Sequence, residues 1–354
     1  MTITRRQRVL SGLRRKADNI TWTLDMGAVN GLSEYMLNKF YKKYGNIEPK
    51  IFFNFDIRPI DYKVAKRQVS KIRHIDEYNI EEIDIDEWGM ITKKDENIDI
   101  SKQLTHPLDS VNNISEIINY PLPIIIKKDI SKIIDGIKEK DLVTTAYGGS
   151  LYEWSWWLRG MENLLIDIGS KNGYDKAIFD KVTEHVKNLS EKWVKAGIDI
   201  ICFYDDIGMQ DRLQIRPQYW RKAVKPRYKR IIKSLKKINP KVLVFLHTCG
   251  KVTEVIEDFI EMGVDILNPL QPECMPLKEI KDNYKNDLSF WGTVSNQRTL
   301  SFGNKKDIFE EVANRIEIFG PNGIVIAPNN ILGKETPWQS VEYFVEACTK
   351  LINN

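Results

Sequence analysis

Val242-Leu243-Val244-Phe245-Leu246-His247-Thr248-Cys249-Gly250 is the stretch that decides how this chain is read. Five apolar residues bounded by turn chemistry predict a buried strand. The pattern from Val252 to Met262, after the Gly250 break, predicts a helix. His247 and Cys249 stand two apart at the strand's C-terminal end, so an extended backbone projects both the same way. Imidazole and thiolate are a ligand pair that zinc favours. The plain alternative is a loop histidine and a loop cysteine that are neighbours by accident, and the surrounding chain has to decide between them.

The same strand-then-helix unit recurs outward from this point. Apolar runs occupy residues 142–146, 198–204, 264–267, 288–291 and 324–327, and amphipathic stretches occupy 174–196, 218–237, 277–284, 305–319 and 337–352. Strands of this length alternating with helices predict parallel βα units with strands buried on both faces. An open doubly wound sheet and a closed (β/α)8 barrel both fit that alternation. No Gly-x-Gly-x-x-Gly fingerprint follows an early strand, and five successive strands end in polar residues. These ends are Asp205-Asp206, His247 with Cys249, Asn268 to Gln271, Gly292 to Gln297, and Pro328-Asn329-Asn330. In a barrel they ring one mouth, which favours the TIM barrel. Residues 141–354 form the regular part of a single domain. Residues 1–140 are read as an irregular elaboration over the barrel mouth that contributes an early strand or two, with a strand expected at 51–55 and a short strand or hairpin at 84–90.

Several constellations could carry chemistry at that mouth. Adjacent carboxylates point to opposite sides of an extended backbone, so one of Asp205 and Asp206 faces the pocket as acid, base, anchor or ligand, while the other caps a turn. Trp154, Trp156 and Trp157 offer flat walls for a ligand, or else form a core helix. Cys274 follows the next strand and stands on the correct rim for a third metal ligand. Cys202 and Cys348 read as ordinary buried thiols.

Composition excludes several classes. The 354 residues are 42% hydrophobic and 29% charged, with 53 basic against 49 acidic residues. That balance suits a soluble globular protein and argues against nucleic-acid binding. Four cysteines at uneven spacing suggest no disulfide framework, and a reducing, cytoplasmic setting is expected. No run of 18 apolar residues occurs, so no membrane span is expected, and no signal-peptide pattern follows Met1.

Taken in order, Arg5 to Leu13, Phe53-Asn54-Phe55-Asp56-Ile57-Arg58, Asp86-Glu87-Trp88-Gly89, Leu158-Arg159-Gly160-Met161-Glu162, Asp205-Asp206-Ile207-Gly208, His247-Thr248-Cys249-Gly250 and Asn268-Pro269-Leu270-Gln271-Pro272 resemble the uroporphyrinogen decarboxylase superfamily. The resemblance is closest to its methyltransferase-like branch, which includes methylcobalamin:coenzyme M methyltransferases and corrinoid-dependent demethylation enzymes of anaerobes. It implies a (β/α)8 barrel that moves a methyl group between a small substrate and the cobalt of a partner corrinoid protein. It also implies Zn2+ held by His247 and Cys249. The third cysteine of that branch falls at Asn330, a poor zinc ligand, so Cys274 is the best local candidate, with Glu273 or an aspartate of the 205–206 pair as substitutes. Asp205 and Asp206 are the expected catalytic carboxylates. Gln271 and Asn330 would supply hydrogen bonds to substrate, and the three tryptophans would wall the pocket. The cobalamin would arrive on the partner, because the chain has no Asp-x-His-x-x-Gly loop. Decarboxylation of uroporphyrinogen is the alternative activity, although the Met-Arg-Gln-Ala-Gly-Arg segment of true decarboxylases is absent. A non-catalytic small-molecule-binding homologue is the third reading.

Overall fold

The structure, a computed structural model, describes residues 3–61, 75–94, 101–124 and 129–352. Its centre is a sheet of eight parallel strands: β1 (Ile20–Trp22), β2 (Ile57–Ile60), β3 (Val143–Gly149), β4 (Ile200–Tyr204), β5 (Leu243–His247), β6 (Ile266–Asn268), β7 (Ser289–Val294) and β8 (Ile324–Pro328). Hydrogen bonding runs in the order β2-β3-β4-β5-β6-β7-β8-β1, and the sheet curls into the expected (β/α)8 barrel with an extra N-terminal region. Among the described residues, β1 and β2 form no ladder with each other.

The alternation of side chains explains the continuous apolar runs. Ile200, Cys202, Tyr204, Leu243, Phe245, Ile266, Trp291, Val325 and Ala327 share one buried cluster, the barrel lumen. Their neighbours Ile201, Phe203, Val244, Leu246, Leu267, Phe290 and Ile326 belong to the cluster beneath the helices. Both faces of each strand are therefore apolar, as a parallel sheet under helices requires. Helix α1 (Arg5–Leu13), started by a Thr4–Gln7 capping box, closes the N-terminal end of the lumen with Val9, Leu10 and Leu13. The Ser289 hydroxyl donates to the carbonyl of Leu13 at 2.6 Å. The segment after β1 fills the lumen from the other side. There the Tyr204 hydroxyl donates to the Met26 carbonyl at 2.6 Å and accepts from the Ala28 N–H at 2.7 Å.

The N-terminal region departs from expectation at the strand predicted for 51–55. Pro49 instead opens a helical turn, Pro49–Phe52, as its fixed φ favours. Asn54 then takes a left-handed φ of 53°, and β2 begins only at Ile57. The expected element at 84–90 becomes the edge of a three-stranded antiparallel sheet, Asp84–Ile85 with Ile91–Lys94 and Ser101–Gln103. Its turn is held by Asp86, whose carboxylate accepts from the N–H groups of Trp88 and Met90 at 2.9 and 2.8 Å. The helix expected at 218–237 is divided into Pro217–Ala223 and Lys225–Ile238, because Pro226 cannot sit in a helix interior and instead starts a new one. No helix of the described residues is long and apolar enough to cross a membrane.

Helix α2 (Tyr152–Arg159) follows β3, and α3 (Met161–Ser170) follows α2. Arg159 joins them to the N-terminal region. Its Nε donates to Asp167 at 2.7 Å, and its Nη1 donates to the carbonyls of Leu108 and Asp109 at 2.7 and 2.6 Å. Both charges are buried. Replacing Arg159 with Met keeps the volume but strands the Asp167 carboxylate, at an expected loss of about 3–5 kcal/mol. A urea unfolding midpoint unchanged from wild type would refute this.

Candidate functional site

Register places the top of the lumen in one layer. Tyr204 on β4 pairs with His247 on β5, which pairs with Asn268 on β6. These are the next inward positions after Cys202, Phe245 and Ile266, so the layer at the strands' C-terminal ends is polar where the layers below are apolar. Tyr147 of β3 stacks on Tyr204 with ring centroids 4.9 Å apart, and Tyr204 lies 5.5 Å from the His247 ring.

The tautomer of His247 follows from its neighbours. Asn268 Nδ2 donates to the Trp291 carbonyl at 2.8 Å, which turns Asn268 Oδ1 toward His247 Nδ1. The amide oxygen can only accept, so Nδ1 carries the proton and Nε2 keeps its lone pair. That lone pair faces the site. Nε2 lies 3.4 Å from Cys249 Sγ and 3.4 Å from Asp206 Oδ1. Ligand atoms of Asp206, His247 and Cys249 all lie within 4.8 Å of one another.

Two glycines allow this convergence. A Cβ on Gly208 would meet the Cys249 carbonyl at 2.4 Å, and one on Gly250 would meet the Met209 carbonyl at 2.5 Å. Without side chains, the loops after β4 and β5 cross in backbone contact. Asp206 Oδ1 then accepts the Cys249 N–H at 2.7 Å, and Met209 accepts the Lys251 N–H at 2.7 Å. Gly250 also needs its positive φ of 83°.

The two adjacent aspartates divide as an extended backbone dictates. Asp206 points to His247 and Cys249. Asp205 points away and accepts the N–H groups of Leu151, Tyr152 and Glu153 at 3.2, 2.9 and 2.7 Å, together with the Tyr228 hydroxyl at 2.7 Å. It caps the N-terminus of α2 from the end of the neighbouring strand, and burial raises its pKa to about 6 despite those donors. Asp205 was expected as a catalytic carboxylate; the structure makes it an anchor for a helix. Cys274 is likewise outside the convergent set. Its Sγ lies 4.0 Å from Gln271 Oε1, and the third donor beside His247 and Cys249 is Asp206. Gln271 is buried and accepts the Gly250 N–H, so it braces the turn rather than lining a pocket.

Asn330 does reach the site. Its Oδ1 accepts the Ile331 N–H at 2.7 Å, which leaves Nδ2 donating to Cys249 Sγ at 3.4 Å. It therefore supports a thiolate without being a metal ligand. Trp154 is buried against Trp88 and His185, with centroids at 4.5 and 5.6 Å, and belongs to the core. Trp156 and Trp157 are half-buried and meet edge to face at 6.1 Å. Cys202 and Cys348 are buried as expected. His185 is a core histidine whose pKa falls to about 4 through burial. His74 lies outside the described residues.

Glu153 is the site residue that the sequence reading missed. It sits one residue into α2, a short step from the Asp205 cap. Its carboxyl group hydrogen-bonds Ser150 and has its pKa pushed up to about 9, first by burial and then by Asp206 and Asp205. Burial and the Asp206 carboxylate also push the Cys249 thiol well up. Glu153 and Cys249 are thus both hard to ionise beside the Asp206 carboxylate, and a divalent cation among these donors would reverse that. The donor set suits one: an imidazole with Nε2 turned inward, a thiol and a carboxylate, the ligand types of a zinc site that keeps a position open.

Two outcomes are expected. Asn268→Ala removes the group that orients His247 and should weaken zinc binding about 10–100-fold, measured by competition with a chromogenic chelator; an unaltered affinity would contradict the tautomer argument. In the metal-free chain, Glu153 holds its proton more tightly folded than unfolded, where its pKa is about 4.3. Its contribution to stability is therefore present below that value and lost as pH rises toward about 9. Glu153→Gln should accordingly gain thermal stability over wild type progressively across that window in the presence of a chelator. A gap that stays constant with pH would count against it.

Comparison with known proteins bears on the fold and the family. Residues 155–351 match the family described as uroporphyrinogen decarboxylase (URO-D). No curated protein sequence matches the chain. Among solved structures, the fold is similar to a methyltransferase from Methanosarcina mazei, at 17% identity and a TM-score of 0.67 over 99% of each chain. It is also similar to a B12-independent methionine synthase from Shewanella sp. W3-18-1, at 10% identity and a TM-score of 0.45 over 77% of each chain. The family match covers more than half of the sequence and includes the His247 and Cys249 strand end, so the chain belongs to the uroporphyrinogen decarboxylase family.

Proposed function

We propose that this chain is an enzyme that transfers a methyl group between a small substrate and the cobalt of a partner corrinoid protein, assisted by Zn2+ at His247, Cys249 and Asp206. The observation that carries the reading is the convergence of these three donors at the barrel mouth, with His247 Nδ1 held by Asn268 and Nε2 turned toward Cys249 and Asp206. Bound there, Zn2+ would bring a thiol in its open position to the thiolate near neutral pH. The chain's own residues do the rest. Asn268 fixes the imidazole, Asn330 donates to the Cys249 sulfur, and Tyr147 with Tyr204 forms a flat wall beside the histidine. In the methylating direction the sulfur–carbon bond forms as the cobalt–carbon bond breaks; the electron pair of the broken bond stays on cobalt and the thiol proton passes to solvent. A cytoplasmic setting, where thiols stay reduced, suits Cys249 and Cys274.

Uroporphyrinogen decarboxylation fits the mouth less well. A substrate with many carboxylates needs cationic partners, and Glu153 and Asp206 stand where they would be wanted. The test is metal content of the wild type beside His247→Ala, Cys249→Ala and Asp206→Ala, with demethylation of free methylcobalamin by small thiols followed by its change in absorbance. About one equivalent of zinc in the wild type, sharply reduced in each variant together with the demethylation rate, is expected. A zinc-free wild type that leaves methylcobalamin untouched would overturn the proposal.

A further inference from the structure

The N-terminal end of the barrel, remote from Cys249, gathers positive charge. Two cavities of about 370 and 330 Å³ lie there between α1 and the loops that lead into β4, β5 and β6. Arg6, Arg14, Lys138 and Lys241 line the first, and Arg14, Arg15, Lys16, Lys236 and Lys241 line the second. Arg14 and Lys241 belong to both. Arg14 Nη2 donates to the Lys241 carbonyl at 2.8 Å, so the two cavities meet at that contact. Seven cations thus face two carboxylates, Asp199 and Asp265. The excess of five is larger than the net charge of +4 on the whole chain, and a cleft lined by one sign of charge concentrates the field of that charge.

Both carboxylates are already committed. Asp199 accepts the N–H and the hydroxyl of Thr144, each at 3.0 Å, and pairs with Arg6. Asp265 accepts the Val244 N–H at 2.7 Å and pairs with Lys236 at 2.6 Å. Arg14 gives one N–H to a carbonyl and Arg15 gives one to the Ser289 hydroxyl at 2.8 Å. Among the described residues, neither these two nor Lys16 and Lys241 form an ion pair. Arg15 is moreover built into its place. Its φ is a left-handed 57°, and on Gly323 a Cβ would meet Arg15 Cγ at 3.2 Å. The dipole of α1 favours cations at its C-terminal end, which accounts for Arg14 and Arg15. It does not account for Lys138 and Lys241, which arrive from separate elements.

We propose that this cleft binds a linear oligophosphate, free or as the phosphate chain of a nucleotide, with Arg14 at its centre. A guanidinium with unused N–H donors matches phosphate oxygens in pairs. The cavities run on from both sides of Arg14, so a chain of phosphates reaches cations that a single phosphate in either cavity does not. The site is separate from the barrel mouth and stands whether or not the methyl-transfer reading does.

Calorimetric titration of the full chain with orthophosphate, pyrophosphate and tripolyphosphate tests this. The affinity should rise at each step of that series. It should fall about tenfold for tripolyphosphate in Arg14→Gln and in Lys241→Gln, each of which loses one charge-assisted hydrogen bond. Lys241 is exposed, so its substitution leaves the fold intact. Lys229→Gln removes an exposed charge outside both cavities and should bind as wild type does. Adenosine triphosphate beside tripolyphosphate separates the two sources: tighter binding of the nucleotide assigns the chain to a nucleotide, and equal or weaker binding assigns it to a free oligophosphate. Cys249→Ala is titrated alongside, because a phosphate chain could also seek a metal at the mouth, and its affinity should match wild type. Equal affinities for the three phosphates, a loss in Lys229→Gln as large as in Arg14→Gln, or binding that disappears in Cys249→Ala would each overturn the inference. So would tighter binding of a single-stranded oligonucleotide than of tripolyphosphate, which would make the face a nucleic-acid surface.

Discussion

The site depends on one carboxylate that never meets a reactant. Asp205 ends β4 by turning into the barrel wall, where it takes the first N–H groups of α2 and the hydroxyl of Tyr228. Those N–H groups have no partner within their own helix, and a buried helix end without acceptors is costly. The interaction therefore fixes the loop after β3 against the loop after β4. One consequence follows from the alternation of an extended backbone: Asp206 is left facing Cys249.

A second constraint is the backbone crossing at Gly208 and Gly250. Any side chain at either position would push apart the loops that carry Asp206 and Cys249. Together, the helix clamp and the glycine crossing place three donors from two neighbouring loops on one point, while Asn268 and Asn330 set the proton and hydrogen-bond state of the two ligands from β5. The arrangement is preformed by secondary structure and does not rely on long flexible side chains.

Much of this was legible in the sequence. The strand runs in the C-terminal half lie within two or three residues of β3 to β8, because apolar segments between turn residues are a strong local signal. The polar strand ends marked the mouth, and the spacing of His247 and Cys249 marked two of the three side chains that converge there. What the sequence does not show is long-range. Nothing near Asp205 says that its partners are the N–H groups of residues 151–153, more than fifty positions earlier. Nothing near Cys274 says that its loop turns the thiol toward Gln271. Glu153 lies in a tryptophan-rich run in which two of its neighbours, Tyr152 and Trp154, are simply core. In the N-terminal region, the shift of a strand from 51–55 to Ile57–Ile60 came from Pro49 starting a helical turn, a local signal outweighed in the reading by the apolar run after it.

Helix α1 lies across the N-terminal end of the lumen, and Tyr204, Phe245, Trp291 and the segment from Met26 fill the space above it. Among the described residues, the barrel is thus filled from its N-terminal end and Cys249 lies at the other. On the proposed reading, a small molecule and a partner protein that both had to reach Cys249 would approach it from that same end. The molecule that sat deeper would then have to enter first and leave last, so the filled lumen would impose an order of binding before any chemistry began.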